Sequence, residues 1–516
     1  MPINSYHDAF DTLSRIEYIG LPVNPKWHQN IMRWRYLSDS FTGGNQYRQG
    51  EYLTKYVLEG ANEYSNRVAN TALDNHVKSV VDTYNAFLFR KPAYRDYGSI
   101  DSDPSLTPFL DDADLDGTSF DAFMREVSTQ ASVYGQCWVL IDKPNTQVAT
   151  RAEELEQEIR PYVSIVTPEN VINWEYERQP NGLHTLSMLQ VLEEFVDEQA
   201  VYREYTPDTI CVYRQKKDSP RELLEEYPNP IGKVPAVCVY AQKSTHRGIG
   251  VSDVADIADT QRAIYNELSE IEQLIRLQNH PSLVVAQGTD AQAGAGAIIT
   301  MQEGMDPGLK PYLLQPTGAS IEALLKSIGS KVDSINRMAN MGGVRNTVTS
   351  AMSGIALETE FNLLNSRLSQ KADFLELAEE QIWRLWCLWQ GTTWDGSINY
   401  PDSFSIHDKE NTVAIIREAK KTMPQNPKLL QELDRMLAKA LITDEDRLAE
   451  VLDDQQNTVA APEGAEQLTG QASPDEMTHP AVTTAPGLVS HLREMIAQGY
   501  TDQQIVELHP ELKKVE

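Results

Sequence analysis

The chain has 516 residues, of which 41% are hydrophobic and 23% charged, and its 75 acidic and 45 basic side chains give a formal net charge of −30. This length allows several packed cores, and 22 tyrosines with 8 tryptophans exclude a wholly disordered chain. The acidity argues against a protein that grips nucleic acid by its phosphates, so any contact with DNA is expected to be loose.

The cysteines and the N-terminus are typical of an intracellular protein. None of Cys137, Cys211, Cys238 and Cys387 belongs to a CxxC pair, and each lies among apolar residues, so we expect reduced thiols in the core. The N-terminal MPINSYHDAF has no basic segment followed by an apolar one, and no uncharged apolar stretch reaches the ~20 residues of a membrane span. We therefore expect synthesis in the cytoplasm and no membrane partner.

Helical patterns dominate the first part of the chain. Residues 1–95 look helical, and one long helix is predicted over 62–90, ended by Lys91-Pro92. Its apolar positions near a period of 3.6 are Val68, Leu73, Val77, Val80, Val81, Tyr84 and Phe87. Another amphipathic helix is predicted from Ser119, and it leads into the buried strand SVYGQCWVLID.

The segment between these helices is strongly acidic. DSDPSLTPFLDDADLDG (101–117) contains six aspartates and no basic residue. A calcium loop of the DxDxDG type needs a closing glutamate, which is missing here. We therefore favour an acidic surface loop over a calcium site.

Residues 161–244 change to a strand pattern. The segments YVSIVTP, VINWEY, HTLSMLQVLEEF, AVYREYT, TICVYRQ and VPAVCVYAQ are rich in β-branched and aromatic residues and are separated by turn signals. Together with the preceding helices they predict an α+β region.

Three long helices are predicted next, over 252–279, 319–341 and 355–390. In the first, the apolar stripe has one polar break, at Gln261, and Pro281 ends the run. The second and third show similar stripes, and the soft stretch NMGGVRNTVTSAMSG (340–354) lies between them. Two long helices therefore bracket a Gly- and Ala-rich insert, followed by a flexible loop and a very long helix.

The C-terminal part is composed differently. Residues 404–453 predict further amphipathic helices, whereas 454–485 are rich in Pro, Ala, Gln and Thr without a period and predict a flexible linker. The last residues, 486–516, predict two small helices divided at Gly499, with Thr501 as a cap. This pair has no basic recognition face, so we favour a protein-docking unit over DNA reading.

No catalytic or cofactor motif is found. The only Gly-Lys pair, Gly232-Lys233, is not part of a phosphate-binding loop, and the Gly294-x-Gly296 pattern lacks a third glycine. The HExxH, GxSxG and CxxC motifs are absent as well. We therefore predict no catalytic residues, no metal site and no cofactor.

The order of several local segments resembles the portal protein of tailed bacteriophages, over about residues 40–400. The segments that carry the resemblance are FTGGNQYRQGEYL (41–53), YSNRVANTALDNHVKSVVDTYNAFLFRKP (64–92), YGQCWVLID (134–142), PNPIGKVPAVCVYAQ (228–242) and GIGVSDVADIADTQRAIYNELSEIEQLIRLQNHPSLVV (248–285). Each pattern is degenerate, and their order and spacing together give the specificity.

The resemblance implies an α+β portal fold with wing, helical stem, clip and crown-side helices, assembled as a ring. The implied regions are an N-terminal arm and wing (1–247), a first stem helix (248–280), a clip (281–317), a second stem helix (318–341), a channel loop (342–354), a long wing helix with crown-side helices (355–453), a flexible linker (454–485) and a C-terminal helical pair (486–516).

Function, site and partners follow from the same resemblance. It implies a non-enzymatic dodecamer at one capsid vertex of the virion, a channel for DNA packaging and ejection. The implied partners are double-stranded DNA without sequence specificity, the terminase large subunit, the head-tail adaptor, and the major capsid and scaffolding proteins. The implied DNA-channel residues are Gly342, Gly343, Val344, Arg345, Asn346, Thr347, Thr349 and Gly354, and the implied clip residues for terminase and adaptor docking are Gln287, Asp290, Gln292, Gln302 and Glu303.

The composition of the loop and the first stem helix suits a channel. DNA that slides must not be held by many Lys and Arg contacts, and residues 251–279 carry six acidic against two basic side chains. Arg345 would add one positive charge per subunit, and the glycines allow the loop to change shape. Without the resemblance, a plain helix connector is the favoured reading of 342–354. An internal scaffold or other capsid protein, and a metal-dependent nucleic-acid-processing enzyme, stay open as alternatives.

Overall fold

The computed structural model describes residues 16, 19–144, 150–196, 199–279, 282–285, 306, 312–314, 318–341, 354–401 and 404, with single positions 416, 419, 433, 435 and 437. The chain forms two compact units, Met1–Ile415 and Ile416–Glu516. In the second unit, the described positions Ile416, Ala419, Leu433, Arg435 and Leu437 are helical, in agreement with the helices predicted over 404–453.

The N-terminal helices are α1 (Pro25–Thr42), α2 (Gly44–Gln49), α3 (Ala61–Asn70) and α4 (His76–Leu88). Asn24 caps α1 by accepting a hydrogen bond from the Lys26 N–H at 2.9 Å, and Pro25 suits the first helical position. The buried face of α1 includes Trp27, Ile31 and Trp34.

The prediction of one continuous helix over 62–90 is wrong, because the chain leaves the helix at Thr71 and re-enters it at His76. Asn75 caps α4 through the Lys78 N–H at 2.8 Å. The side-chain amide of Asn75 also donates to the Phe41 carbonyl at 2.9 Å. This contact with a residue distant in sequence fixes the position of the break. The spacing of apolar residues within 62–90 gives no sign of it.

The acidic loop and its surroundings contain β1 (Tyr94–Asp96), a 3₁₀ turn (Gly98–Ser102), α5 (Leu106–Asp111), α6 (Phe120–Tyr134), β2 (Gln136–Asp142) and α7 (Arg151–Glu156). Ser119 caps α6, as predicted. The loop carboxylates have protein partners: Asp112 accepts from Arg160 at 2.9 Å, and Asp114 accepts from the Asp116 and Thr118 N–H groups. These contacts belong to turns and ion pairs. The expectation of a surface loop over 101–117 is only partly correct, because α5 interrupts the segment and buries Leu106 and Phe109 against the core.

Seven strands lie between residues 162 and 240, namely β3 (Tyr162–Val166), β4 (Val171–Arg178), β5 (His184–Val196), β6 (Gln199–Tyr205), β7 (Thr209–Lys216), β8 (Glu222–Pro228) and β9 (Ala236–Tyr240). Strands β3 and β9 flank β2 in a three-stranded sheet with the order β3-β2-β9, and β4 to β8 form a five-stranded antiparallel meander. The six predicted strands are confirmed. Strand β8, ELLEEYP, was not predicted, because its largely exposed, Glu-rich sequence lacks the apolar alternation of a half-buried strand.

The remaining elements are α8 (Ala255–Asn279), β10 (Ser282–Val284), β11 (Tyr312–Leu314), α9 (Gly318–Met338), α10 (Gly354–Trp389) and β12 (Ser397–Asn399). The three predicted long helices are thus confirmed within a few residues at each end. Strands β10 and β11 pair antiparallel, and β12 pairs with β1. Among the described residues, no helix combines the length and apolar character needed to cross a membrane.

The C-terminal half of α10 packs into an aromatic cluster in the core. The Trp383 ring lies 5.4 Å from the ring centroid of Phe109 and 5.1 Å from that of Phe120, and Trp386 is fully buried beside them. This cluster joins α10 to α5 and α6. The four cysteines are free, three of them buried and Cys238 partly buried, as expected for core thiols. The fold is mixed α+β.

Candidate functional site

Helices α8 and α9 form an antiparallel pair that is fastened by a partly buried polar contact. Glu267 on α8 accepts hydrogen bonds from Lys331 Nζ at 2.6 Å and from Ser327 Oγ at 2.8 Å, both on α9. Ser327 and Lys331 are four residues apart and therefore lie on one face of α9. The contact fixes the register of the two helices.

The two helices are joined through the β10–β11 ribbon. Ser282 pairs with Leu314 and Val284 with Tyr312, directly after α8 and shortly before α9. The segment is therefore a long hairpin, with two helices as its sides and the ribbon where the chain leaves α8.

Helix α8 is rooted in the N-terminal helices by buried polar groups. The Gln261 side chain is fully buried, donates to the Ser40 carbonyl at 3.1 Å and accepts from the Val77 N–H at 2.8 Å. The Tyr36 hydroxyl donates to the Ala258 carbonyl at 2.7 Å. Burial raises the pKa of Tyr36, so this hydroxyl stays protonated and remains a donor. The polar break in the predicted stripe is thus an anchor.

Most of the charge on α8 and its approach is neutralised within the subunit. Of the six carboxylates in residues 251–279, four pair with basic side chains, and these are Asp253, Asp259, Glu267 and Glu272. Arg262 donates to the Tyr52 carbonyl at 3.1 Å, and Arg276 pairs with Glu272. The segment therefore offers few unpaired charges of either sign, which makes it less acidic than its composition suggests.

A buried ion pair joins α10 to α6 and to the residues that lead into α8. Lys371 on α10 donates to Asp253 at 2.5 Å and to Ser132 Oγ at 2.8 Å, while Arg367 reaches the same carboxylate at 3.2 Å. Asp253, Arg367 and Lys371 border a cavity of about 330 Å³ that is also lined by Asn340. The long helix is thus tied directly to the entry of α8.

The end of α9 is held at the same junction. The Tyr84 hydroxyl donates to the Ala339 carbonyl at 2.7 Å, and both Ala339 and Met341 are fully buried. Asn340 takes a left-handed φ of 54°, which ends the helix as asparagine often does. The segment 342–353 therefore begins from a fixed residue.

The predicted site residues lie mostly outside the described residues. This applies to Gly342, Gly343, Val344, Arg345, Asn346, Thr347 and Thr349 of the channel loop and to Gln287, Asp290, Gln292, Gln302 and Glu303 of the clip. Gly354 is described, and it is the first residue of α10. Within the part of the chain that the structure describes, no group of three His, Cys, Asp or Glu side chains could hold a metal ion.

Sequence reasoning missed the Lys371–Asp253 pair. A signal existed, because Lys371 follows Leu368 by three residues and so falls on the apolar stripe of α10, where a lysine needs a partner. The partner itself, 118 residues away, gave no local signal.

A family model described as "Phage portal protein, SPP1 Gp6-like" matches residues 28–428. No curated protein matches the chain. Among solved structures, "Neck of empty GTA particle computed with C6 symmetry" matches at 10% identity and a TM-score of 0.41, covering 75% of this chain and 100% of that chain. "Virion of native gene transfer agent (GTA) particle" matches at 10% identity and a TM-score of 0.38, covering 81% of this chain and 98% of that chain.

Proposed function

The chain belongs to the SPP1 Gp6-like family of phage portal proteins, and from this premise we propose that it forms the dodecameric ring at one vertex of the capsid. Portal proteins are structural proteins that form ring-like oligomers in virions. The observation that carries the proposal is the family match over 28–428. This range includes the three-stranded and five-stranded sheets and the helices α8 and α9 with the ribbon between them.

The proposed work of the ring is to pass DNA during packaging and ejection. A channel wall must not hold the phosphates, because each Lys or Arg contact that releases counterions strengthens binding. The composition of residues 251–279, with only two basic side chains, supports this role for α8, and one of the two, Arg276, is paired with Glu272. In the proposed ring, the loop 342–354 faces the DNA, and Arg345 contributes one light phosphate contact per subunit.

The proposed docking platform is the clip, residues 281–317. It meets the terminase large subunit during packaging and the head-tail adaptor afterwards, through Gln287, Asp290, Gln292, Gln302 and Glu303. The β10–β11 ribbon supports this role, because a two-stranded ribbon at the end of a helix pair offers edge groups to another chain. The major capsid and scaffolding proteins are the other proposed contacts.

The proposal makes the protein a virion component that is synthesised in the host cytoplasm and has no enzymatic activity or cofactor. The proposed regions keep the predicted limits, with a wing over 1–247 and a long wing helix with crown-side helices over 355–453. The linker 454–485 and helical pair 486–516 are proposed to reach other capsid components.

Electron microscopy of the purified protein tests the proposal. We expect class averages with twelve-fold symmetry and an open centre wide enough for duplex DNA. A compact monomer, or a solid particle without a hole, contradicts the portal ring. Magnesium-dependent cleavage of DNA by the same preparation would instead support the alternative of a nucleic-acid-processing enzyme.

A further inference from the structure

A loop between α2 and α3 carries two apolar side chains in full contact with solvent. Val57 is 99% exposed and Leu58 is 97% exposed, and we call this pair the apolar knob. Adjacent apolar side chains exposed to this degree serve no purpose within a single subunit, and such features mark interaction sites.

The knob is held in place by a closed set of contacts. Arg67 on α3 donates to both carboxylate oxygens of Glu59, at 2.7 and 2.8 Å, and to the Thr54 carbonyl at 2.6 Å. Its guanidinium lies 4.0 Å from the centre of the Tyr56 ring. Glu59 accepts in turn from the Tyr56 N–H at 3.1 Å. A loop fixed at both ends loses little entropy when it binds.

The knob lies beside α8, on the side turned away from α9. The Thr54 N–H donates to Asn266, and Arg67 donates to Ser269 Oγ at 3.2 Å. Successive residues of a helix are rotated by about 100° around its axis. The direction midway between Asn266 and Ser269 therefore lies about 130° around α8 from Glu267, which contacts α9. The knob and α9 therefore flank α8 on nearly opposite sides.

The outward face of α9 carries a second unexplained feature. Glu322, Leu325, Gly329 and Asp333 follow one another at spacings of three or four, are exposed, and form what we call the outer stripe. Leu325 is 54% exposed. A Cβ added to Gly329 would meet no atom within 4 Å, so its own chain does not require a glycine at this unfavourable mid-helix position.

The knob and the stripe lie at the same level of the helix pair. Glu267 contacts Ser327. Because the helices are antiparallel, moving two residues toward the ribbon on each helix places Leu325 at about the same height as Ser269, the residue to which Arg67 is bonded. Neighbouring subunits of a ring are related by a rotation that leaves the position along the ring axis unchanged. If the helices run along that axis, two features that meet across the interface must therefore lie at the same height along the helices.

We propose that the apolar knob of one copy packs on the outer stripe of α9 of the next copy around the ring, with Leu58 against Leu325 and Gly329. The exposed Lys55 beside the knob then faces one of the two carboxylates at the ends of the stripe, Glu322 or Asp333. The contact is heterologous, because knob and stripe are different surfaces on opposite sides of each subunit, and such contacts close rings. This inference rests on the proposed ring assembly.

Cysteine cross-linking tests the contact in the full-length chain. The Leu58→Cys/Gly329→Cys double variant, oxidised with copper phenanthroline after assembly, should give a ladder of covalent oligomers on a denaturing gel. Each single variant should give only background, which also controls for the four native thiols. The matched control, Leu58→Cys/Leu183→Cys, uses an exposed leucine of the β4–β5 turn, 64% accessible, in place of Gly329.

The outcomes distinguish a wrong interface from the absence of a ring. If electron microscopy shows rings and the double variant cross-links no more than the control pair, the interface is wrong and the ring stands. If the unmodified protein forms no ring, the proposed function and the interface both fail. As a second measurement, Val57→Ser/Leu58→Ser should keep the thermal midpoint and raise the concentration for half-assembly by about tenfold or more. An unchanged value overturns the inference.

Discussion

The ammonium of Lys371 lies 2.5 Å from the carboxylate of Asp253, and the two side chains are only 5% and 4% exposed. This pair joins α10, the longest helix among the described residues, to the residues that lead into α8. A buried charge pair contributes little net stability by itself, but loss of one partner leaves an uncompensated charge in the core. The pair therefore makes the position of α8 depend on α10.

Lys371→Met should lower the free energy of unfolding by about 3 kcal/mol, at the low end for a broken buried pair because Arg367 still contacts Asp253. Denaturant unfolding followed by tryptophan fluorescence measures the loss. Lys216→Met, at an exposed lysine, is the control and should stay within about 0.5 kcal/mol of the parent. Equal losses in both variants would show that the buried pair has no special role.

Gln261→Leu should destabilise the protein by about 3 kcal/mol, although leucine continues the apolar stripe. The substitution leaves the Ser40 carbonyl and the Val77 N–H buried without their partner. The control is Gln278→Leu, at an exposed position on the same helix. A stabilised Gln261→Leu variant would show that the amide is not an anchor.

The Lys371–Asp253 pair and Gln261 show which parts of the structure the sequence predicts and which it does not. The apolar periods of α8, α9 and α10 predicted these helices, because each stripe is contained within its own segment. The partners of Gln261 lie about two hundred residues away, so the sequence revealed a polar break without its purpose. The break at Asn75 and the edge strand β8 were missed for the same reason, because distant contacts and exposure decide them. The apolar knob was missed because exposure alone distinguishes it.

Gly135→Ala should cost about 3 kcal/mol or more of stability. Gly135 has a φ of 93°, and an added Cβ would lie 2.8 Å from the backbone nitrogen of Ser252. Left-handed backbone costs a non-glycine residue about 1–2 kcal/mol, and here a backbone clash is added. Gly182→Ala separates the two effects, because Gly182 has a φ of 86° with no atom within 4 Å of its Cβ position. Similar losses in the two variants would contradict the close approach.

The knob loop should loosen in acid. The Arg67 hydrogen bonds lower the pKa of Glu59. A carboxyl with a lowered pKa in the folded state contributes stability that is complete above the ordinary value of about 4.3 and is lost as the pH falls through the lowered one. Hydrogen exchange at the Tyr56 N–H, which donates to Glu59, should therefore lose protection below about pH 4.

Glu59→Gln is the control for this pH effect, because it removes the titrating group and keeps an acceptor oxygen. The loop of this variant should exchange faster at neutral pH and show little further change on acidification. Parent and variant with the same pH profile would assign the loosening to another group.

Val substitution of Gly342 and Gly343 should permit ring assembly and impair DNA packaging. Assembly should survive because the described residues on the entry side of the loop are held independently of it, through the hydrogen bond from Tyr84 to Ala339 and the buried Met341. Packaging should fail because two adjacent β-branched residues restrict the backbone of a loop that we propose to change shape around moving DNA. Ring counts by electron microscopy and DNA content per particle measure the two effects separately, with Val344→Ile as the conservative control. If the valine variant forms no rings, the loop is an assembly element and its proposed place in the channel is wrong.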